Sequence, residues 1–425
     1  LPGPACSDMA SILIHSLIFA PDGVSTAYLY TDLAKELRKL GHSVEVLTTT
    51  PHYNQVEEEL RRQPLSKIAP GFYKSSCSGI SVWHVSLGKR TSDARARTLD
   101  YLRFHLLSLL WSLFHHAHYD VVLAPSPPLS IGVIAWLLSR RYGSRCVYNV
   151  QELYPDIAIN HGVIKNARLI TVFRALERFV YRRSDAIVTI GERFTAAISD
   201  RAGSSERITT IPNFVDTEFY RPLPRDNAFS RAHGLLDRFV VSYAGNIGIA
   251  QDWGPLLAAA RQLADRPIQF VIAGEGTRST WLRDQIRQLD LRNVLLLPYL
   301  ARETMPQMNA ASDVTTIVMS QSGGRDGFPS KIYTTLACAK PSIISAEQDC
   351  ELCAIVRDSK CGWTVPVGDS DAYTNAILTA MGQRDTLHEM GLRGREYVER
   401  RFSLKTVAER YDMLIRHRTA RKAHD

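Results

Sequence analysis

The sequence predicts two α/β domains in tandem, each built around a doubly wound parallel sheet. Its 425 residues exceed one ordinary core and favour two domains of about 200 residues each. Short apolar runs alternate with helical periodicity through both halves, which is the pattern of βαβ units. The alternation stops in residues 212–237, where prolines stand among polar residues, and it restarts at Val240. We therefore expect the inter-domain linker in that stretch.

The first domain opens with a βαβ unit. Residues 11–19 are predicted to form an apolar strand. Residues 26–40 have helical periodicity that ends at Gly41, a favourable C-cap, and residues 43–49 form the next strand. Further strands are expected at residues 80–85, 120–123, 145–150, 185–190 and 208–211, and helices at residues 98–116, 129–141 and 169–183.

The second domain repeats this order. Its strands are expected at residues 240–243, 269–273, 294–297, 314–318 and 342–345. Its helices are expected at residues 255–264, 281–289, 303–311 and 330–337 and from about residue 372 onward. Parallel sheets of this kind bind ligands at the carboxyl ends of their strands, so the loops that follow the strands are the candidate sites.

Composition limits the class of protein. The hydrophobic fraction of 45% and charged fraction of 22% are those of an ordinary globular protein, and the net charge of +8 favours anionic partners. Seven cysteines without a disulfide-like spacing indicate a reducing compartment, so a cytoplasmic location is expected. The most apolar helical segment, residues 104–114, is too short to span a membrane. Residues 1–8 precede Met9 and are excluded from the fold prediction.

Glycine-containing turns follow three of the predicted strands. Such turns let backbone N–H groups approach a phosphate, although a tight turn needs glycine for its own geometry as well. None of them has the spacing of a dinucleotide fingerprint or a P-loop, which argues against dehydrogenases and nucleoside triphosphatases. The glycines are Gly23 in the first domain and Gly245, Gly248, Gly274 and Gly276 in the second.

Two further loops carry candidate chemical groups. The loop 323–331 places Asp326, for sugar hydroxyls, near Lys331, for an anion, and Ser330 could cap the helix that follows. A solvated surface loop is the alternative. After the strand 145–150, Glu152 and Asp156 are candidate acids or bases, with helix capping as the alternative.

Basic residues are concentrated between residues 61 and 103, just before the apolar segment 104–114. Positive charge beside apolar surface suits an anionic membrane, while a solvated basic face over a core helix is an equally good interpretation. Nucleic acid is disfavoured because no aromatic and basic interleaving occurs. The group includes three arginines considered for acceptor or membrane binding, Arg90, Arg95 and Arg97.

Several longer motifs, specific when taken together, point to a resemblance between this chain and a known protein family. They are FAPDGVSTAYLYTDLAKELRKLGHSVEVLTT, NVQELYPD, SDAIVTIGERF, IPNFVDTEFYRP, VSYAGNIGIAQDW, FVIAGEG and GFPSKIYTTLACAKPSII. Over nearly its whole length from Met9, the chain resembles the family-4 retaining glycosyltransferases of GT-B fold. The resemblance is strongest to the bacterial branch that builds capsule, O-antigen and exopolysaccharide repeats.

The resemblance implies an organisation and a reaction. Two Rossmann-like domains would face a central cleft, with residues 9–217 as acceptor domain, 218–398 as donor domain and 399–425 as a helix returning to the first. The donor would be a nucleotide-diphosphate sugar, UDP- or GDP-linked, and the acceptor a polyprenyl-diphosphate sugar or a saccharide. The enzyme would retain anomeric configuration without a metal or other cofactor, and could work peripherally at the inner face of the cell membrane.

The resemblance also implies roles for single residues. Gly23, Gly245 and Gly248 would border the diphosphate, Gly274 and Gly276 the nucleoside, and the backbone at Tyr299 and Leu300 the base. Asn246 and Gln251 stand where the family has basic phosphate partners, so Lys331 or Arg325 would supply that charge. Asp326 and Thr334 align with the family's paired glutamates, and Gln151, beside Glu152, aligns with its catalytic-loop histidine. Gly327 and Phe328 complete the donor loop.

Two rival functions stay open from the sequence. A nucleotide-sugar epimerase on the same fold would act without an acceptor. A non-catalytic binding protein would bind the nucleotide sugar without turnover, and Thr334 in place of a carboxylate makes that alternative plausible.

Overall fold

The computed structural model describes residues 9–88, 94–160, 162–321 and 328–422, without the side chains of residues 94–95 and 417–422. The chain forms two compact units. The first unit comprises the chain up to Asn213 and again from Val407 onward, and the second unit comprises Phe214–Thr406. The stretch 212–237, expected as a linker, contains a short helix of the second unit that begins with a capping box at Asn227.

The first unit is built on a nine-stranded sheet, counted within the described residues, in the order β3-β4-β5-β2-β1-β6-β7-β8-β9. All neighbours from β5 to β9 pair in parallel, while β3 and β4 extend one edge in antiparallel fashion. The strands are β1 Ser11–His15, β2 Ser43–Thr49, β3 Ser66–Ala69, β4 Phe72–Cys77, β5 Ile80–Val85, β6 Val121–Pro125, β7 Arg145–Val150, β8 Ala186–Thr189 and β9 Ile208–Thr210.

Helices of the first unit alternate with these strands. They are α1 Ser25–Lys39, α2 Glu57–Arg62, α3 Ala94–Phe114, α4 Ile131–Tyr142, α5 Asp156–Asn160, α6 Ala167–Arg183 and α7 Glu192–Ala202. α1 buries one apolar stripe that includes Tyr30 and Leu33, and Gly41 ends it with a φ of 99°. Strands β6 and β7 are buried at every position; β6 is accordingly apolar throughout, whereas β7 also buries Arg145 and Asn149.

In the described part of the second unit, six strands form one sheet in the order β12-β11-β10-β13-β14-β15, and its neighbours pair in parallel. Its strands are β10 Phe239–Ala244, β11 Ile268–Ala273, β12 Val294–Leu297, β13 Val314–Val318, β14 Ser342–Ser345 and β15 Gly362–Val365. Its helices are α8 Ala228–Ala232, α9 Gly254–Gln262, α10 Ser279–Gln288, α11 Met305–Ala311, α12 Lys331–Ala337, α13 Glu351–Ser359, α14 Ser370–Gly382 and α15 Leu387–Phe402. The final helix, α16, spans Leu404–Lys422.

The predicted fold class is confirmed, because each unit has the reversing strand order of a doubly wound sheet. The order reverses between β1 and β6 in the first unit and between β10 and β13 in the second. Ligands of such sheets bind outside the carboxyl ends of the strands at this reversal. Within the described residues, no helix has the length and apolar character needed to cross a bilayer.

Candidate functional site

Two glycine turns interlock at the strand reversal of the second unit. Gly245 follows β10 and its N–H donates to the carbonyl of Ala273, while Gly274 follows β11. Both glycines have a left-handed φ, at 144° and 150°. A Cβ added at Gly274 would lie 1.8 Å from the carbonyl oxygen of Gly245. The two turns therefore contact each other backbone to backbone, which leaves room for glycine alone.

The neutral residues at the predicted phosphate positions stabilise these turns. Gln251 accepts a hydrogen bond from the N–H of Gly248 at 2.9 Å. The amide of Asn246 lies against both Gly248 and Gly276, since a Cβ at either glycine would come within 2.6 Å of it. Asn246 and Gln251 thus shape the turn and bring no charge to it.

Lys331 brings a positive charge to the same place. Its ammonium Nζ lies 3.8 Å from the ring centroid of Tyr243, and a Cβ on Gly245 would be 2.8 Å from that Nζ. Tyr243 in turn donates from its hydroxyl to the carbonyl of Asn246 at 2.6 Å. No carboxylate pairs with Lys331 among the described residues, and burial lowers the pKa of its ammonium to about 7. An uncompensated cation at this depth is a binding group for an anion.

The other predicted donor residues have separate contacts in the second unit. Thr334 uses its hydroxyl to donate to the carbonyl of Lys331, one turn earlier in α12. Phe328 stacks on Tyr333, with ring centroids 5.3 Å apart. Tyr299 and Leu300 follow β12, and Tyr299 is 46% exposed. Three predicted residues, Arg325, Asp326 and Gly327, lie outside the described residues.

One expectation for this loop is wrong. Ser330 precedes α12 but has a helical backbone conformation and makes no side-chain capping hydrogen bond. An N-cap residue needs an extended backbone to direct its hydroxyl at the N–H groups of the first turn, and Ser330 lacks it.

The first unit has a rigid loop at its own strand reversal. The buried carboxylate of Asp22 accepts hydrogen bonds from the backbone N–H groups of His52, Tyr53 and Asn54, at 2.7 to 3.0 Å. Gly23 donates its N–H to the carbonyl of Asn54, and a Cβ on Gly23 would lie 2.5 Å from Val56 Cγ2. The sequence pointed to Gly23 but missed Asp22, because its partners stand thirty residues further along the chain.

Gln151 is the centre of a side-chain network after β7. Its amide nitrogen lies 3.0 Å from the hydroxyl of Tyr30, 2.9 Å from Asn149 Oδ1 and 3.0 Å from Asn213 Oδ1. Asn213 returns a hydrogen bond to Gln151 Oε1 at 2.8 Å. Beside this network, burial raises the pKa of Glu152. A carboxyl group of raised pKa at the end of a strand is suited to proton transfer.

Asp156 is an ion-pair partner and is not suited to act as an acid or base. Burial acts to raise the pKa of Asp156, but hydrogen bonds from Arg174 and Arg201 outweigh it and lower the pKa overall. The same arginines hold Glu177 at 3.1 and 2.9 Å. The half-buried Asp156, the buried Glu177 and two arginines therefore hold α5, α6 and α7 together.

Glu177→Gln is expected to destabilise the first unit by about 2–4 kcal/mol, because it leaves half-buried arginines short of a carboxylate. Thermal unfolding measures this. Glu396→Gln is the matched control, since Glu396 pairs with Arg400 at 3.5 Å on an exposed surface where a pair contributes little. Equal melting temperatures for the two variants would contradict the structural role of the cluster.

The basic stretch between residues 61 and 103 is less uniform than its sequence indicates. Arg61 and Arg62 pair with Glu57 and Glu58 one turn earlier in α2, so their charge is compensated. Arg97 lines a small cavity together with His52, Tyr53, Leu87, Asp100 and Tyr101. Arg90 lies outside the described residues, as does the side chain of Arg95.

Two family descriptions match consecutive parts of the chain. Residues 26–213 match the glycosyl transferase 4-like domain, and residues 226–397 match the glycosyl transferases group 1. The putative colanic acid biosynthesis glycosyl transferase WcaI of Escherichia coli K12 is 22% identical over 409 residues, which cover 94% of this chain and 98% of the relative. The probable glycosyltransferase WbjE of Pseudomonas aeruginosa is 26% identical over 264 residues, which cover 61% of this chain and 65% of the relative.

Solved structures share the fold over almost the whole chain. Anabaena HepE in complex with UDP superposes with a TM-score of 0.70 at 16% identity, covering 95% of this chain and 99% of that one. Sucrose-phosphate synthase from Thermosynechococcus elongatus gives a TM-score of 0.73 at 16% identity, covering 97% and 99%. The matching domains and the fold together show that the chain belongs to the family-4 glycosyltransferases of GT-B fold and is a sugar transferase.

Proposed function

We propose that this transferase moves a sugar from a nucleotide diphosphate, UDP- or GDP-linked, to a lipid-linked or saccharide acceptor in bacterial surface polysaccharide synthesis. The observation that supports this proposal most directly is the position of the Lys331 ammonium beside the Gly245 turn. The relatives named for colanic acid synthesis and the HepE complex with UDP support the pathway and the donor class.

The donor site is proposed at the strand reversal of the second unit. Neither Gly245 nor Gly274 carries a side chain, so a diphosphate is proposed to approach the backbone of their turns, beside the ammonium of Lys331. The ammonium of Lys331, beside Gly245, is proposed to neutralise part of the diphosphate charge. Asp326, with its neighbours Arg325 and Gly327, remains the proposed contact for the donor sugar. Tyr299 and Leu300 are proposed to border the base.

The chemistry is proposed to depend on charge stabilisation. As the glycosidic bond to the nucleotide breaks, negative charge grows on the leaving diphosphate, and Lys331 lies where it can stabilise that charge without a metal. The donor phosphate is proposed to accept the acceptor's proton on the same face, which retains the anomeric configuration. In the first unit, Glu152 and the loop held by Asp22 are proposed to contact the acceptor, with Gln151 positioning them.

A panel of UDP-, GDP-, ADP- and dTDP-sugars tests the donor assignment by thermal shift. One sugar nucleotide is expected to stabilise the protein by about 2.7 kcal/mol at a hundredfold excess over its Kd, which is a shift of several degrees. Absence of a shift with every member of the panel would contradict the donor site. Product analysis then separates transfer from epimerisation, because a new sugar nucleotide formed without acceptor would contradict the transferase proposal.

A further inference from the structure

The outer face of α3 is unusually apolar. Its exposed side chains recur along one side of the helix, spread over about 22 Å, and several are more than half exposed. We call them the leucine face; they are Leu99, Leu102, Leu106, Leu110, Leu113 and Phe114. Single exposed leucines are ordinary, but a continuous row of them marks a surface that binds something.

The inner face of α3 includes several buried polar residues. His105, Ser108 and Ser112 are buried there beside Phe104 and Trp111. Ser108 hydrogen-bonds His15 of β1 at 3.1 Å, and His105 hydrogen-bonds Ser130 at 2.8 Å. A helix at a water-exposed surface normally has the opposite arrangement, with its polar side outward. The outward leucines of α3 are therefore not explained by the packing of the unit.

The exposed charges of the helical layer that contains the leucine face are of one sign. α4 packs beside both α3 and α6, so these helices form one layer. Among the described side chains of this layer, the acids are Asp100, which is half-buried, and Glu177, which is buried in its ion pairs. The exposed charges on the three helices are all arginines: Arg103, Arg140, Arg141, Arg168, Arg178, Arg182 and Arg183.

We propose that the leucine face of α3 docks on an anionic lipid bilayer, with its leucines in the acyl boundary and the surrounding arginines on lipid phosphates. Apolar burial and attraction to anionic headgroups are the two contributions that hold interfacial helices. A second copy of this chain is a poorer partner, because a symmetric contact would bring the same arginines together without acids to meet them. The inference deepens the proposed function, in which the acceptor is lipid-linked.

Vesicle flotation of the full chain tests the docking. The protein is expected to float with vesicles of equal parts phosphatidylcholine and phosphatidylglycerol, and much less with phosphatidylcholine alone. The double variant Leu106→Ser/Leu110→Ser is expected to lose at least tenfold in partitioning, since each leucine contributes several buried methylene groups. Arg140→Gln/Arg141→Gln is expected to lose about fivefold per arginine and to weaken the salt dependence.

Leu378→Ser/Leu392→Ser is the matched control, because these leucines are also partly exposed but lie on α14 and α15 of the second unit. Its partitioning should equal that of the unaltered chain. Indifference of the unaltered chain to anionic vesicles, or undiminished flotation of the Leu106 and Leu110 variant, would overturn the proposal. If light scattering shows that the unaltered chain is a dimer and that the Leu106 and Leu110 variant is a monomer, the leucine face would be assigned to a second copy instead.

The experiment is independent of catalysis. Flotation needs neither donor nor acceptor, and both leucine variants should keep the thermal shift with the donor nucleotide sugar. If the unaltered chain floats with anionic vesicles but shows no thermal shift with any nucleotide sugar, that result would count against the proposed donor site alone.

Discussion

Lys331→Met is expected to weaken donor binding at least about thirtyfold while the protein stays folded. The ammonium of Lys331 is the cation at the Gly245 turn, where the expected basic residues are replaced by Asn246 and Gln251. Removing one partner of a desolvated ion pair costs about 2–5 kcal/mol. Folding should not suffer, because no described carboxylate pairs with Lys331 and methionine removes the cost of burying a charge. Calorimetric titration with the nucleotide sugar measures the loss.

Lys340→Met provides the control for this substitution. Lys340 is also a half-buried lysine whose pKa burial lowers, to about 8, but its ammonium donates to the carbonyls of Ala310 and Ser312. Its replacement should lower the melting temperature and leave the donor Kd of the folded protein unchanged. Unaltered donor affinity in the Lys331 variant would remove this residue from the site.

The pH profile gives an independent signature of Lys331. With its pKa lowered to about 7, the lysine of the empty protein is charged below neutral pH and neutral above it. A bound diphosphate favours the charged form and raises that pKa, so binding above neutral pH takes up a proton. Donor affinity should therefore fall about tenfold per pH unit as the pH rises above 7. Titrations in buffers of different ionisation enthalpy should show the proton uptake, and Lys331→Met should abolish it.

Gly274→Ala is expected to disrupt both glycine turns and to reduce donor binding beyond detection. Its Cβ would lie 1.8 Å from the carbonyl oxygen of Gly245, and backbone atoms cannot move aside as a flexible side chain does. The φ of 150° adds strain for any residue with a side chain. The two turns must separate, and the hydrogen bond from Gly245 to Ala273 is lost with them.

The control for Gly274→Ala is Gly362→Ala, at the amino end of β15. A Cβ there would lie 1.9 Å from the carbonyl oxygen of Ser342, a comparable backbone clash at the opposite end of the strands. Both variants should lose several kcal/mol of stability. Only the Gly274 variant should lose donor binding when both are assayed at a temperature where they are folded. If the Gly274 and Gly362 variants both lose donor binding, the Gly274 turn affects binding through the stability of the protein alone.

The sequence predicted the sheets well because most of their strands are buried on both faces. β1, β6 and β10 are predominantly apolar, and two of the helices between strands end at recognisable glycines, Gly41 and Gly143. Three strands are not predicted by the sequence: β3 and β4, which extend one edge of the first sheet, and β15, at an edge of the second. Exposed and half-exposed residues dominate them, so they lack an apolar period.

The candidate site was predictable where glycine geometry determines it, and less so where distant parts of the chain meet. Gly245 and Gly274 could be found because each follows a strand, but their mutual contact depends on the neighbouring positions of β10 and β11. Lys331 is one of two candidates for the missing charge, and the structure places its ammonium against Tyr243 beside the Gly245 turn. The other candidate, Arg325, lies outside the described residues. The compensation of Arg61 and Arg62 by acids of α2 depended on a helix that the sequence analysis did not predict.

The interlocking of the two glycine turns also limits how donor preference can change. Gly245 and Gly274 follow different strands, yet neither turn can take up a new shape while the other keeps its own. Transplanting one of these loops from a relative would bring a mismatched pair into contact. The turns after β10 and β11 should therefore be exchanged together when the protein is engineered. We also expect the two turns to vary together among related sequences.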